Sequence, residues 1–205
     1  MTNPISADIA NTKQNDDRPN IFIIFGSPHR DGYTAELLKA FVGALPGNVH
    51  IDALGAFSSK IVPCIDCGIC KKQHGCAFDD FSDFDNKYQN ADIIVIATPI
   101  YNLSVPAPLK SILDRTQQYY NARFSLDITP VTKPKKAVLL ITGGAKSTKG
   151  THHIEQMLKQ TFSVMNVVSS RNTSAKEFCS LPQQLVATSK ISSVSTVILI
   201  SILRI

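Results

Sequence analysis

Three short, unbroken apolar runs frame the chain: Ile21–Phe25 (IFIIF), Asp92–Ala97 (DIIVIA) and Lys136–Thr142 (KAVLLIT). Continuous rather than alternating hydrophobicity over so short a span predicts strands buried on both sheet faces, the arrangement of parallel sheets. Between the runs, apolar residues recur at helical spacing. Ala35, Leu37, Leu38, Ala40, Phe41 and Val42 predict one helix, and Phe81, Phe84 and Tyr88 mark another over Asp79–Ala91. Val105–Arg115 is a third, since Pro106 and Pro108 are tolerated only near a first turn. Thr151–Met165 is a fourth, with His152 and His153 read as surface residues. Weaker patterns at Asn48–Ala53 and Asn166–Ser169 predict a second and a fifth strand. Strands alternating with helices imply an α/β domain around a parallel sheet.

Each strong strand runs into a loop rich in small and polar residues. After Phe25 comes Gly26–Thr34, GSPHRDGYT. A strand, a loop and then a helix leave outward-pointing backbone N–H groups at the positive end of the helix dipole. Ser27 and Thr34 add hydroxyls, His29 and Arg30 add charge, and a phosphate suits the site. The alternative is an ordinary turn whose Ser and Thr only cap the helix. The loop is neither GxGxxG nor GxxxxGK[ST], which excludes the common dinucleotide and nucleoside triphosphate motifs. After Ala97 comes TPIYNLS, Thr98–Ser104, in which Tyr101 could contact a flat ligand or anchor the loop. After Thr142 come Gly143 and Gly144, which permit close backbone approach to a ligand or form a plain turn. Ligands of open α/β sheets bind outside the strands' carboxyl ends, so these loops are expected side by side.

A separate signal is Ile61–Cys76, IVPCIDCGICKKQHGC, with Cys64, Cys67, Cys70 and Cys76 spaced C-x2-C-x2-C-x5-C. Such compact spacing suits a 4Fe-4S cluster better than structural zinc, which usually separates its ligand pairs further; a Cys-rich loop without metal is the third reading.

At 205 residues and 43% hydrophobic content the chain is long enough for one domain with a sizeable core. Its net charge of +5 comes from scattered Lys and Arg; Lys71–Lys72 and Lys133, Lys135 and Lys136 are the only clusters, and we read them as solvated surface. No nucleic-acid site is expected. Residues 1–18 read as a disordered polar tail without a secretory h-region. Residues 176–205 form an atypical segment, lacking Asp and Glu from Phe178 onward and ending in the apolar run Val194–Leu203. That run is too short for a membrane helix and reads as a final helix or strand against the sheet, or as a tail foreign to the fold. Four of five cysteines clustered together point to a reducing cytoplasm rather than disulfides.

GSPHRDGYTAELL, the cysteine loop followed by Asp79–Asp80, and ADIIVIATPIYNLSVPAPLKSILDR together resemble the flavodoxin-like NAD(P)H-dependent FMN reductase family, most closely its iron–sulfur flavoprotein branch, over Asn20–Thr173. The resemblance implies a three-layer, doubly wound, five-stranded parallel sheet of order 2-1-3-4-5 within residues 19–175. It implies FMN phosphate at Ser27, His29, Arg30, Gly32, Tyr33 and Thr34, through the two hydroxyls and the amides of His29 to Tyr33. The isoalloxazine would lie against Pro99, Ile100, Tyr101, Asn102, Leu103 and Ser104, with Gly143 and Gly144 at its pyrimidine edge. His29 and Tyr33 stand where family members usually carry Arg and Asn, which predicts weaker, pH-dependent phosphate binding unless Arg30 compensates. The implied activity is hydride transfer from NAD(P)H to FMN and onward to a quinone, flavin, cluster or other small-molecule or protein acceptor. Two rivals are a non-catalytic flavodoxin-type carrier, disfavoured by the basic charge, and a metal-binding protein with a decayed flavin site. A homodimer or homotetramer is implied as well, with no membrane partner.

Overall fold

A computed structural model describes residues 18–144, 149–167 and, for the backbone, 197–202. The expected tail, all but a short stretch of the C-terminal segment, and the last residues of the strand expected at Asn166–Ser169 lie outside the described residues. Four parallel strands form in the predicted places: β1 Asn20–Phe25, β2 His50–Gly55, β3 Ile93–Pro99 and β4 Lys136–Gly143. They lie in the order β2-β1-β3-β4. The register pairs Phe25 with Gly55 and Ala97, and Pro99 with Thr142, so the carboxyl ends of β1, β3 and β4 finish at one edge.

Both faces of this sheet are apolar because the strand sequences are, and helices cover both. Ile21, Ile23, Phe25, Val95 and Leu140 pack against α1, Tyr33–Gly43, through Leu37, Leu38 and Phe41. Phe22, Ile24, Ile94, Ile96 and Leu139 face the opposite way. There they meet Phe84 and Tyr88 of α2 (Ser82–Asn90), Leu109 and Ile112 of α3 (Ala107–Arg115) and Tyr119 of α4 (Gln117–Ser125). Ile154, Leu158 and Phe162 of α5 (Lys149–Ser163) complete this core. The prolines fall as expected, Pro106 capping α3 and Pro108 within its first turn.

Four features differ from expectation. The helix expected over Asp79–Ala91 opens as a 3-10 turn, Asp79–Phe81, before α2. Helix α4 has no clear apolar stripe, and Gln118 and Asn121 are among its buried residues, so periodicity did not reveal it. The expected fifth parallel strand is represented by one bridge, Lys135 to Val167. Beside β4 the backbone of β5, Val197–Ile202, instead runs antiparallel, Gly143 facing Val197. Finally, Lys135 is not solvated surface: it is 1% exposed, its ammonium donates to the carbonyls of Gln89 and Ala91 at the end of α2, and burial lowers its pKa to about 8. Among the described residues no helix is long and apolar enough to cross a membrane.

Candidate functional site

The three strand-end loops meet through direct hydrogen bonds. The Gly26 amide donates to Ala97 O at 2.7 Å, and the Ile100 amide to Thr142 O at 2.8 Å. The hydroxyls of Thr34 and Thr142 share a hydrogen bond of 2.7 Å, tying the start of α1 to the end of β4. Thr142 went unnoticed in the sequence because it reads there only as the last residue of an apolar strand. Thr98, fully buried, turns its hydroxyl onto the Pro99 carbonyl at 3.0 Å.

The first loop is pre-shaped. Ser27 is buried and accepts the His29 amide at 3.2 Å, so its hydroxyl fixes the turn. Gly32 precedes α1 in extended conformation, and no side chain caps the helix. The amides of its first turn therefore lack a side-chain acceptor, the arrangement that suits an anion. His29, Arg30 and Tyr33 are exposed around this point, whereas Thr34 is buried.

The second loop forms a tight turn. Tyr101 and Ser104 exchange backbone hydrogen bonds of 2.8 and 2.9 Å, and Asn102 and Leu103 both hold positive φ, 49° and 64°. Left-handed backbone costs a leucine about 1–3 kcal/mol. Leu103 and Tyr101 are nevertheless 55% and 42% exposed, so core packing does not explain the turn and Tyr101 is not a buried anchor. The turn rests on Ile100, which lies between two glycines. A Cβ on Gly143 would stand 3.0 Å from Ile100 Cδ1, and one on Gly150 2.7 Å from Ile100 Cγ2. Gly143 thus has a packing reason beyond chain reversal, and Gly150 is a site-shaping residue the sequence did not reveal. Gly144 is exposed beside it.

Cys64, Cys67, Cys70 and Cys76 all line one pocket, together with Phe78, Arg115 and Gln118. All four are free thiols; Cys64 and Cys67 are exposed, and Cys70 and Cys76 half-buried. Among the described residues no three His, Cys, Asp or Glu side chains are gathered as a ready metal site. What holds the loop is Arg115, whose side chain is wholly buried. Its guanidinium grips Asp80 through two oxygens, at 2.6 and 3.2 Å, and donates to Val62 O at 2.8 Å and Phe78 O at 3.3 Å. Both ends of the cysteine loop are thereby clamped to α3. The hydrogen bonds from Arg115 hold the Asp80 carboxyl below its usual range, against the opposing effect of burial. Burial alone would lower the arginine's own pKa; Asp80 and Cys76 reverse this and raise it. Four cysteines on one pocket, with the Arg115 guanidinium beside them, are the donor type that thiolate-ligated metals use.

The profile of the family described as NADPH-dependent FMN reductase matches residues 19–178. The chain is 30% identical over 128 residues to an iron-sulfur flavoprotein of Methanosarcina thermophila, covering 60% of this chain and 63% of that one. It is 31% identical over 146 residues to an iron-sulfur flavoprotein of Archaeoglobus fulgidus, covering 71% of each. The first of these matches spans less than two thirds of the relative's length. Among solved structures, Smu.1420 from Streptococcus mutans UA159 is similar in fold, with TM-score 0.56 and 17% identity over 81% of this chain and 96% of that one.

Proposed function

Because the chain belongs to the NADPH-dependent FMN reductase family, we propose that it is an FMN-dependent oxidoreductase using NAD(P)H, with a quinone, flavin or other acceptor taking the electrons. The observation that carries this reading is the meeting of three loops at one sheet edge through Thr34, Thr142 and Ile100. FMN supplies the chemistry when bound, accepting hydride from a reduced nicotinamide and releasing electrons one or two at a time. The chain supplies position and polarity. The hydroxyls of Ser27 and Thr34 and the backbone amides of His29 to Tyr33 would hold the phosphate, with Arg30 and His29 as charge. The Pro99–Ser104 turn and Tyr101 would flank the ring system, and the backbone at Gly143 and Gly144 would lie at its edge.

The four cysteines belong to the same proposal. Cys64, Cys67, Cys70 and Cys76 would hold a 4Fe-4S cluster that supplies one-electron transfer. A reducing, cytoplasmic setting suits the free thiols. The fifth position of a 2-1-3-4-5 sheet would be the edge beside β4, and a homodimer or homotetramer would complete the ring site. Titrating FMN-loaded protein with NADPH without oxygen tests the reading. Bleaching of the flavin absorption that returns with a quinone supports it; a flavin that binds but resists NADPH leaves only a carrier.

A further inference from the structure

Two buried N–H groups beside the cysteine loop are not accounted for by the fold alone. Asn121 on α4 is 3% exposed and its Nδ2 donates to Cys70 Sγ at 3.0 Å. A neutral thiol is a weak acceptor, so a buried amide hydrogen spent on it is a poor exchange for water. Arg115 presents the same oddity. Its Nη1 and Nη2 are taken by Asp80, Val62 and Phe78, but Nε is buried without a partner. An unpaired buried donor on a charged group carries a desolvation cost that nothing else in the fold offsets. The guanidinium lines the pocket within electrostatic reach of Cys76. Asn121 thus already donates to one cysteine of the loop and Arg115 lines the pocket that holds another, and such donors are better used when the sulfur is anionic, as in a metal-bound thiolate.

We propose that Asn121 and Arg115 are positioning residues that donate N–H···S hydrogen bonds to Cys70 and Cys76 and so raise the reduction potential of a thiolate-ligated centre. This rests on the cluster reading above. Hydrogen bonds to cluster sulfur stabilise the reduced, more negative state more than the oxidised one. Each donor also lies on an element that reaches the sheet core: Arg115 ends α3, and Asn121 shares α4 with Tyr119, which packs beside Tyr88.

The test uses the full chain reconstituted without oxygen with iron and sulfide, comparing wild type with Asn121→Leu, Asn121→Gln and Arg115→Lys. Iron and sulfide content is measured first, then the midpoint potential by optical or paramagnetic titration. At a fixed solution potential the reduced-to-oxidised ratio should fall about tenfold in Asn121→Leu, equivalent to about 59 mV for one electron. Asn121→Gln, which keeps an amide donor, should recover much of it. Arg115→Lys keeps the charge for Asp80 but removes the Nε donor and should shift the same way; if it does not fold, the Asn121 pair decides. Equal potentials at equal iron and sulfide content overturn the proposal and leave the cluster reading standing. A wild type that takes up neither iron nor sulfide removes the cluster reading and this proposal together.

Discussion

Asp80→Asn should be among the most damaging single changes outside the apolar core. The substitution keeps size and one acceptor but leaves the Arg115 guanidinium, wholly buried, without its counter-charge. Removing one partner of a buried pair costs about 3–5 kcal/mol. Asp80 is partly exposed, and Val62 O and Phe78 O still accept from Arg115, so the lower end, about 3 kcal/mol, is the expected cost. Against a total stability of about 5–15 kcal/mol this is a large share. With a urea m-value of about 2–3 kcal/mol/M the midpoint should fall by about 1–1.5 M. Asp114→Asn, which breaks a half-exposed i,i+4 pair with Lys110, is the control and should cost no more than about 0.5 kcal/mol. The sign in pH follows from the lowered Asp80 pKa. Its stabilisation is fully present above the unfolded value of 3.8 and is lost as pH falls through the lower folded value. The wild type should therefore lose this increment on acidification, and Asp80→Asn should not. A urea midpoint within about 0.3 M of wild type would refute the reasoning, since the clamp would then contribute no more than a surface pair.

Other predictions concern the sheet-edge site. Gly150→Ala should cost about 1–3 kcal/mol and weaken FMN binding. Its Cβ meets the branch methyl Cγ2 of Ile100 at 2.7 Å, whereas Gly143→Ala meets the mobile Cδ1 end at 3.0 Å and should cost less. Thermal melts and FMN titration of both variants check that order, and the reverse order would contradict the packing argument. His29→Arg should tighten FMN binding above neutral pH, because it places a permanent charge at the exposed first loop; unchanged affinity would show that Arg30 already serves there.

The strands were legible because a strand buried on both faces must be apolar throughout, and Ile21–Phe25, Asp92–Ala97 and Lys136–Thr142 each became one. The loops that follow were legible as well, since Gly, Ser, Thr and Pro stop such runs visibly. Hidden features depended on contacts across the chain. Thr142 looks like a strand residue until Thr34 meets it from 108 positions away. Gly150 looks like a helix start until Ile100 packs on it. Lys135 looked solvated because a lysine's burial depends on carbonyls that only the end of α2 supplies. Helix α4 was invisible because its buried face is made of Gln118 and Asn121 as much as of Tyr119 and Ala122.

The central claim is that the edge formed by Ser27–Thr34, Pro99–Ser104 and Gly143–Gly144 is an FMN site, and calorimetric titration of the flavin-free chain with FMN and with riboflavin tests it most directly. The account predicts one FMN per chain and at least about tenfold weaker riboflavin, about 1.4 kcal/mol, because the uncapped first turn of α1 and the basic side chains beside it act on the phosphate. Equal affinities would contradict the phosphate assignment, and no binding of either flavin would contradict the site itself.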